Sequence, residues 1–171
     1  AARLWITGDR EGFAALEKAI LADDPTYGRL YAITSELVGE RQRRFDVAAE
    51  LATKAIATDP TDDQSYVIQG VNLMNLGREA EARKAFDAAT KAAKDWNDVT
   101  RENFLQVLEV LETFVETKSE RFLVRQHPEE SAVMTTSGIT PLNAPRGGGA
   151  ATPAPLPDLR IRALDYNGYF D

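Results

Sequence analysis

Apolar positions recur at helical spacing through much of the chain, and many of them are small. The clearest run is LGREAEARKAFDAATKAAKD, residues 76–95, with Ala80, Ala82, Ala85, Ala88 and Ala89 and one aromatic, Phe86. Side chains three and four apart share a helix face, so this stripe lets a second helix approach closely, with one bulky knob to insert between them. The pattern predicts a helix over about 79–93. It predicts another over about 62–76, burying Tyr66, Val67, Val71 and Leu73 and ended by Gly77. Pro60 suits the start of that earlier helix, where a missing N–H costs nothing, and Asp62 and Asp63 complement its dipole. Farther on, VTRENFLQVLEVLETFVE at 99–116 reads as one long amphipathic helix. SERFLVRQ then alternates, Phe122 and Val124 against Leu123 and Arg125, as a short strand does. HPEE follows as a turn in which Pro128 opens a helix.

The helical pattern repeats. DPT stands at 24–26 and again at 59–61, thirty-five residues later. Each is followed by an aromatic and a small residue four positions on: Tyr31 with Ser35, and Tyr66 with Gly70. Ala48 and Ala55 recur as Ala82 and Ala89, an interval of 34. GERQRR at 39–44 and NLGRE at 75–79 are the turns within the units, the first one residue longer. Each unit is therefore helix, turn, helix. A single pair cannot bury its apolar face, so neighbouring pairs must stack.

Tyr66, Gly70, Gly77, Ala82, Phe86 and Ala89 stand in the order and spacing of the tetratricopeptide repeat family, which the chain resembles over about 1–116. Residues 63–96 match most fully. In 28–62 Ala52 stands where that family has a large aromatic, and 8–25 resembles the second half of a degenerate repeat. The resemblance implies an all-α fold, a right-handed α-solenoid of helical hairpins. Its parts would be a half repeat at about 1–27, repeats at 28–62 and 63–96, and a capping helix at 97–116. A strand and turn at 117–134, a Pro/Gly-rich linker at 135–158 and a strand-like end at 159–171 would complete the chain. In such a fold Gly70 and Ala82 let the helices of one pair close up, and Phe86 fills the gap towards the next. The first helices of the pairs would line a concave surface through Arg29, Ala32, Glu36, Gln64, Val67, Val71, Met74, Asn75, Arg101 and Leu105. This mixed lining suits a peptide or helix from a partner. Val67 and Val71 are read equally well as internal packing. No basic clamp for a chain terminus is present among these positions.

Repeats followed by a helix, a strand and His-Pro-Glu-Glu also resemble the entry to bacterial proteins in which such repeats precede a gluzincin-type (peptidase MA-like) zinc metallopeptidase domain. That family's metal site needs two histidines one helical turn apart in H-E-x-x-H. This chain has one histidine, His127, so no catalytic or metal-binding residue carries over. His127 is read as a turn residue. No nucleophile motif accompanies it, the carboxylates fall mainly on solvated helix faces, and Gly147–Gly149 lack the lysine and hydroxyl of a phosphate loop. No cofactor is expected.

Charge narrows the partners. Lysine plus arginine less aspartate plus glutamate is 20 − 27 = −7 over 171 residues. A nucleic-acid backbone would be repelled, and the densest basic patch, RQRR at 41–44, reads as a solvated turn. No apolar run reaches the roughly 18–20 residues a membrane span requires. Cysteine is absent, which rules out disulfides and thiolate chemistry in this sequence. The opening AARLW has no initiator Met and fits a processed form or a fragment.

After Met134 the composition changes. TTSGITPLNAPRGGGAATPAPLPD, 135–158, holds five prolines and four glycines in twenty-four residues, too many for a packed core. Extended, it would reach on the order of 70 Å. LRIRALDYNGYFD, 159–171, is apolar and aromatic again: Leu159, Ile161 and Ala163 share one face of a strand, Arg160 and Arg162 the other, with Tyr166 and Tyr169 beyond. This is not how the peptidase family continues. Either the enzymatic half is lost or replaced, or residues are missing near 134 and after 171.

Three functions from different classes follow. The leading one is a non-catalytic scaffold that binds a partner protein through its helices and its C-terminal tail. The second is an accessory subunit of a larger assembly, membrane-bound or not, tethered through the tail at 135–171; Leu159, Ile161, Tyr166 and Tyr169 are its candidate partner-binding residues. The third is the non-catalytic front of a zinc metallopeptidase. The peptidase resemblance also implies a bacterial cell-envelope or periplasmic setting.

Overall fold

The computed structural model describes residues 1–93, 98–118 and 123–129. Seven helices fill most of this stretch: α1 (Ala2–Thr7), α2 (Arg10–Asp23), α3 (Arg29–Gln42), α4 (Phe45–Thr58), α5 (Asp63–Asn75), α6 (Glu79–Ala92) and α7 (Val99–Glu112). Two short strands, β1 (Val115–Lys118) and β2 (Leu123–Gln126), pair antiparallel with Val115 opposite Gln126. The fold is all-α in class, with a repeat-like succession of helical hairpins. Within the hairpins α3 packs on α4 and α5 on α6, and α4 packs on α5 between them. The odd-numbered helices also touch in series: α1 with α3, α3 with α5, and α5 with α7.

The hairpin turns show why the sequence has its period. Each requires one residue in left-handed backbone, and these are Gly8 (φ 83°), Arg43 (φ 54°) and Gly77 (φ 69°), spaced by 35 and 34 residues. The first hairpin therefore begins earlier than the sequence suggested, with the six-residue α1 supplying a shortened first helix. Trp5 holds it down, meeting Phe13 edge-on at 4.9 Å between ring centroids. The Arg10 guanidinium lies 3.7 Å over the indole, and Gln42 Nε2 donates to the Ile6 carbonyl at 3.2 Å.

The repeated DPT is a repeated turn. Asp24 Oδ1 accepts from Thr26 N (2.9 Å) and Oγ1 (2.7 Å), and Asp59 Oδ1 accepts from Thr61 N (3.0 Å) and Oγ1 (2.7 Å). These bonds hold the Asp59 carboxyl below the usual range, the Thr61 hydroxyl being the largest cause. Pro60 belongs to this turn and not to the helix start, because α5 begins at Asp63 with Asp62 as its N-cap. Asp62 accepts from the buried Ser65 hydroxyl at 2.6 Å.

Packing within the hairpins turns on complementary volumes. A Cβ at Gly70 would lie 2.5 Å from Phe86 Cε1, so the ring occupies the space that residue 70 leaves empty. Phe86 thus fills a gap inside its own hairpin. It also reaches the next element, stacking on Phe104 of α7 at 5.4 Å and 11°. In the α3–α4 hairpin the equivalent positions are Ser35 and Ala52: a larger residue where Gly70 stood, a smaller one where Phe86 stood. Ser35 is fully buried and its hydroxyl donates across the hairpin to the Ala48 carbonyl at 2.6 Å. Tyr31, also buried, donates to Glu17 on α2 at 2.5 Å. Its hydroxyl is pushed up to about 12, chiefly by burial and then by that carboxylate.

The end of the helical region differs from expectation. The predicted helix over 99–116 stops at Glu112, and Val115–Lys118 is a strand. The Thr113 N–H and the Phe114 N–H close the last turn onto the Val110 and Leu111 carbonyls, after which β1 pairs with β2. The expected lone strand is thus one arm of a hairpin, since a strand needs a partner for its backbone groups. Arg125 ties this hairpin to α6 by an ion pair with Glu79, and it reaches Glu116 of β1 at 2.6 Å. Pro128 and Glu129 are helical in backbone, as the turn reading expected. Phe122, the linker at 135–158 and the segment 159–171 lie outside the described residues.

Gly70→Ala is expected to destabilise the protein by about 1–3 kcal/mol despite alanine's better helix propensity, because the new methyl group meets a fully buried ring. Phe86→Leu placed on top of it should recover part of the loss. Urea unfolding of the two variants against wild type measures both effects, and a neutral Gly70→Ala would refute the interlock. Arg43→Gly is expected to stabilise by about 0.5–1 kcal/mol, since an L-residue in left-handed backbone costs more than glycine's extra entropy. The same unfolding measurement checks it.

Candidate functional site

The surface predicted from the sequence is organised around the contact between α3 and α5. Arg29, Ala32, Ile33 and Glu36 follow one another along α3, and Gln64 and Ile68 along α5. Together with Asp62 they line a cleft of about 140 Å³. Four of the sequence-predicted positions, Arg29, Ala32, Glu36 and Gln64, are thereby brought together from two hairpins. Ala32 is buried and forms floor, whereas Arg29 and Glu36 are exposed at the rim. Ile33, 40% exposed, adds apolar surface that the sequence reading did not single out. Its signal was available: it lies on the turn of α3 between Arg29 and Glu36.

Electrostatics in the cleft are mixed. Desolvation raises the Glu36 carboxyl above its ordinary value; Glu40, one turn on, adds to the effect and Arg29 opposes it. Gln64 Nε2 donates to Asp98 Oδ2 at 2.8 Å, and Asp98 caps α7 by accepting from Arg101 N at 3.1 Å. The amide in the cleft is therefore fixed by the N-terminus of α7.

The remaining predicted positions divide by burial. Val67 (4% exposed) and Arg101 (5%) are interior and present almost no surface, which corrects their assignment to an open lining. Val67 packs with Leu73, Ala82, Phe86 and Leu108, because it faces the stripe of alanines on α6. Val71, Met74 and Leu105 are half-buried and pack against the same core. For Val67 and Val71 the alternative reading as internal packing is the one the geometry favours. Asn75 is exposed, and its Nδ2 donates to the Val71 carbonyl at 2.9 Å. Leu159, Ile161, Tyr166 and Tyr169 lie outside the described residues.

A larger groove, about 650 Å³, lies on the other side of α5, between α4 and α6. Tyr66 and Leu73 of α5, with Leu76 at its C-cap, form the floor, Ala49, Ala85 and Ala88 the small walls, and Asp46, Glu50, Arg78, Glu81 and Lys84 the rim. Arg78 and Glu81 neutralise each other through a two-pronged pair, Nε to Oε1 at 2.7 Å and NH2 to Oε2 at 2.5 Å. Sequence reasoning missed this groove because the alanines of α6 were assigned wholly to helix contact. Ala82 and Ala89 are indeed fully buried, but Ala88 is half-buried at the groove wall.

His127 is exposed, its ring edge-on to Phe114 at 6.1 Å. Among the described residues no group of three or more His, Cys, Asp or Glu side chains is placed to hold a metal ion. No described helix is long and apolar enough to cross a membrane. Neither a family model nor a curated protein matches the chain.

The raised Glu36 carboxyl gives a pH-dependent expectation. A group whose pKa is higher in the folded state stabilises fully below its unfolded value, about 4.3, and loses that contribution as pH rises through the folded value. Glu36→Gln should therefore unfold at a higher urea concentration than wild type at pH 7, with the gap closing below about pH 4. A variant less stable than wild type at pH 7 would contradict this reading of the cleft.

Proposed function

We propose that this protein is a non-catalytic interaction scaffold of tetratricopeptide-like helical hairpins, stacked as a right-handed solenoid, which binds a segment of a partner protein along the face built by its odd-numbered helices. The cleft between α3 and α5 carries the reading: Arg29 and Glu36 from one hairpin stand over the same small apolar floor as Gln64 from the next. Only stacking produces such a site, because neither hairpin alone supplies both walls. The mixture of an exposed isoleucine, a cation, carboxylates and a fixed amide suits an extended peptide whose side chains alternate in character. The raised Glu36 carboxyl fits the same role, since a cationic group of a bound partner would favour its charged form.

Selection of a random-sequence peptide library against the full chain tests this directly. Peptides recovered by wild type should bind the double variant Arg29→Glu, Glu36→Lys at least about tenfold more weakly, equivalent to about 1.4 kcal/mol. They should bind Lys91→Glu, on the exposed side of α6, unchanged. Recovered peptides that ignore the double variant, or a selection that recovers none, would reject the cleft as the partner site.

A further inference from the structure

The α4–α5–α6 groove is not used by the proposed scaffold face, and each of its three sides is a row along a helix. On α5 the floor residues Tyr66, Gln69 and Leu73, with Leu76 at the C-cap, follow at intervals of three, four and three. The α4 wall consists of Asp46, Ala49, Glu50 and Thr53. The α6 wall repeats it as Glu81, Lys84, Ala85 and Ala88, each 35 residues after its counterpart. Side chains at three-and-four spacing share one helix face and are the positions through which helices pack together. Leu76 is 38% exposed and Tyr66 half-buried, so the row on α5 still lacks a covering element among the described residues.

What fits there follows from backbone chemistry and from charge. Helices wall the groove, and their backbone groups are bonded along their own length. An extended chain laid between them would find no backbone partners for its N–H and C=O groups. A helix brings its own. Ala49, Ala85 and Ala88 let a helix axis come close, and the floor from Tyr66 to Leu76, about 15 Å long, takes about three of its turns. Gln69, whose Nε2 donates to Thr53 Oγ1 at 2.9 Å, interrupts the apolar row, as a single polar position does where it fixes the register of packed helices. Charge then distinguishes the two flanks. The α4 rim carries Asp46 and Glu50. On the α6 side Arg78 and Glu81 neutralise each other, which leaves Lys84 as the charge of that rim. Lys84 acts on Glu81 one turn back, but like Asp46 and Glu50 it is in no ion pair among the described residues.

We infer that the α4–α5–α6 groove binds an amphipathic α-helix of a partner protein. The apolar side of that helix meets Tyr66, Leu73 and Leu76, its basic flank lies beside Asp46 and Glu50, and its acidic flank beside Lys84. It stands opposite α5 as the fourth member of a bundle with α4, α5 and α6. This goes beyond the scaffold reading and uses a different face, so either can fail without the other.

A displayed library of peptides of about 20 residues, long enough to form a helix, tests this against the full chain. Positions at heptad spacing draw on alanine, leucine and isoleucine, and those on either flank draw on lysine, glutamate and glutamine. Peptides recovered by wild type should carry lysine on one flank and glutamate on the other. Each should bind Leu76→Glu at least about tenfold more weakly, and should lose as much when proline replaces its solvent-facing midpoint. A parallel selection against Lys84→Glu, which makes both rims acidic, should enrich lysine on both flanks. Leu76 and Lys84 are exposed, so both substitutions leave the core in place. A selection that recovers no peptide, recovered peptides indifferent to Leu76→Glu or to proline, or the same flank charges from both selections would overturn the inference. So would a wild-type dimer at the screening concentration that Leu76→Glu makes monomeric, which would put a second copy of the chain in the groove.

Discussion

Phe86 needs the absence of a side chain at residue 70, and much of the helical stack follows from that need. The ring is fully buried, lies where a Cβ on Gly70 would fall, and stacks on Phe104 beyond its own hairpin. One side chain therefore joins α5, α6 and α7. Burying a phenylalanine contributes about 1.5–3 kcal/mol, but only if the helices on either side can close onto it. The alanines of α6 permit that closure: Ala82 and Ala89 have no exposed surface, and Val67 and Leu73 fill the space across from them. In a hairpin-by-hairpin fold each unit offers its neighbour an unfinished surface, and Phe86 is the part of that surface with the largest apolar area.

The α3–α4 hairpin solves the same problem with different volumes. Ser35 replaces the glycine and Ala52 the phenylalanine, so the bulk removed from α4 is only partly returned on α3. What replaces the lost apolar contact is polar. The Ser35 hydroxyl bonds the Ala48 carbonyl, and Asn72 of the next hairpin approaches it at 3.4 Å while bonding the Ile68 carbonyl at 2.8 Å. Buried polar groups must find partners or cost free energy, so this set tolerates few relative positions of α3, α4 and α5. At this level one hairpin is joined by an aromatic ring and the other by buried hydrogen bonds beside the apolar contacts of Val38 and Leu51.

That difference explains how far the fold was legible in the sequence. The interval between the two DPT turns, and the small residues at 70, 82 and 89, could be read because each follows from local geometry. The helix stop at Gly77 was legible for the same reason, and the structure gives it left-handed backbone. At Arg43 such backbone was not legible, since arginine carries no sign of positive φ. The β1 strand was hidden inside an amphipathic helix pattern, because what makes 115–118 a strand is its pairing with 123–126. The candidate cleft was half legible. The resemblance to helical-repeat proteins gave Arg29, Ala32 and Glu36, whereas the burial of Val67 and Arg101 depends on how α5 and α7 rotate against their neighbours. A rotation of that kind is set by tertiary packing and leaves no mark on a single helix's own periodicity.

The two open surfaces share α5 as a common wall. Gln64 and Ile68 face the cleft, Tyr66, Gln69 and Leu73 face the groove, and between them run the buried Ser65, Val67, Gly70 and Asn72. This buried line is held on both sides, by Phe86 against Gly70 and by Asn72 against Ser35. A helix locked in this way has little freedom to rotate, so contacts on one face are poorly transmitted to the other. Sites that share no partner and no movable element contribute additively. α5 therefore separates two surfaces: a small mixed cleft where two hairpins meet, and a larger groove with Asp46 and Glu50 on its α4 rim.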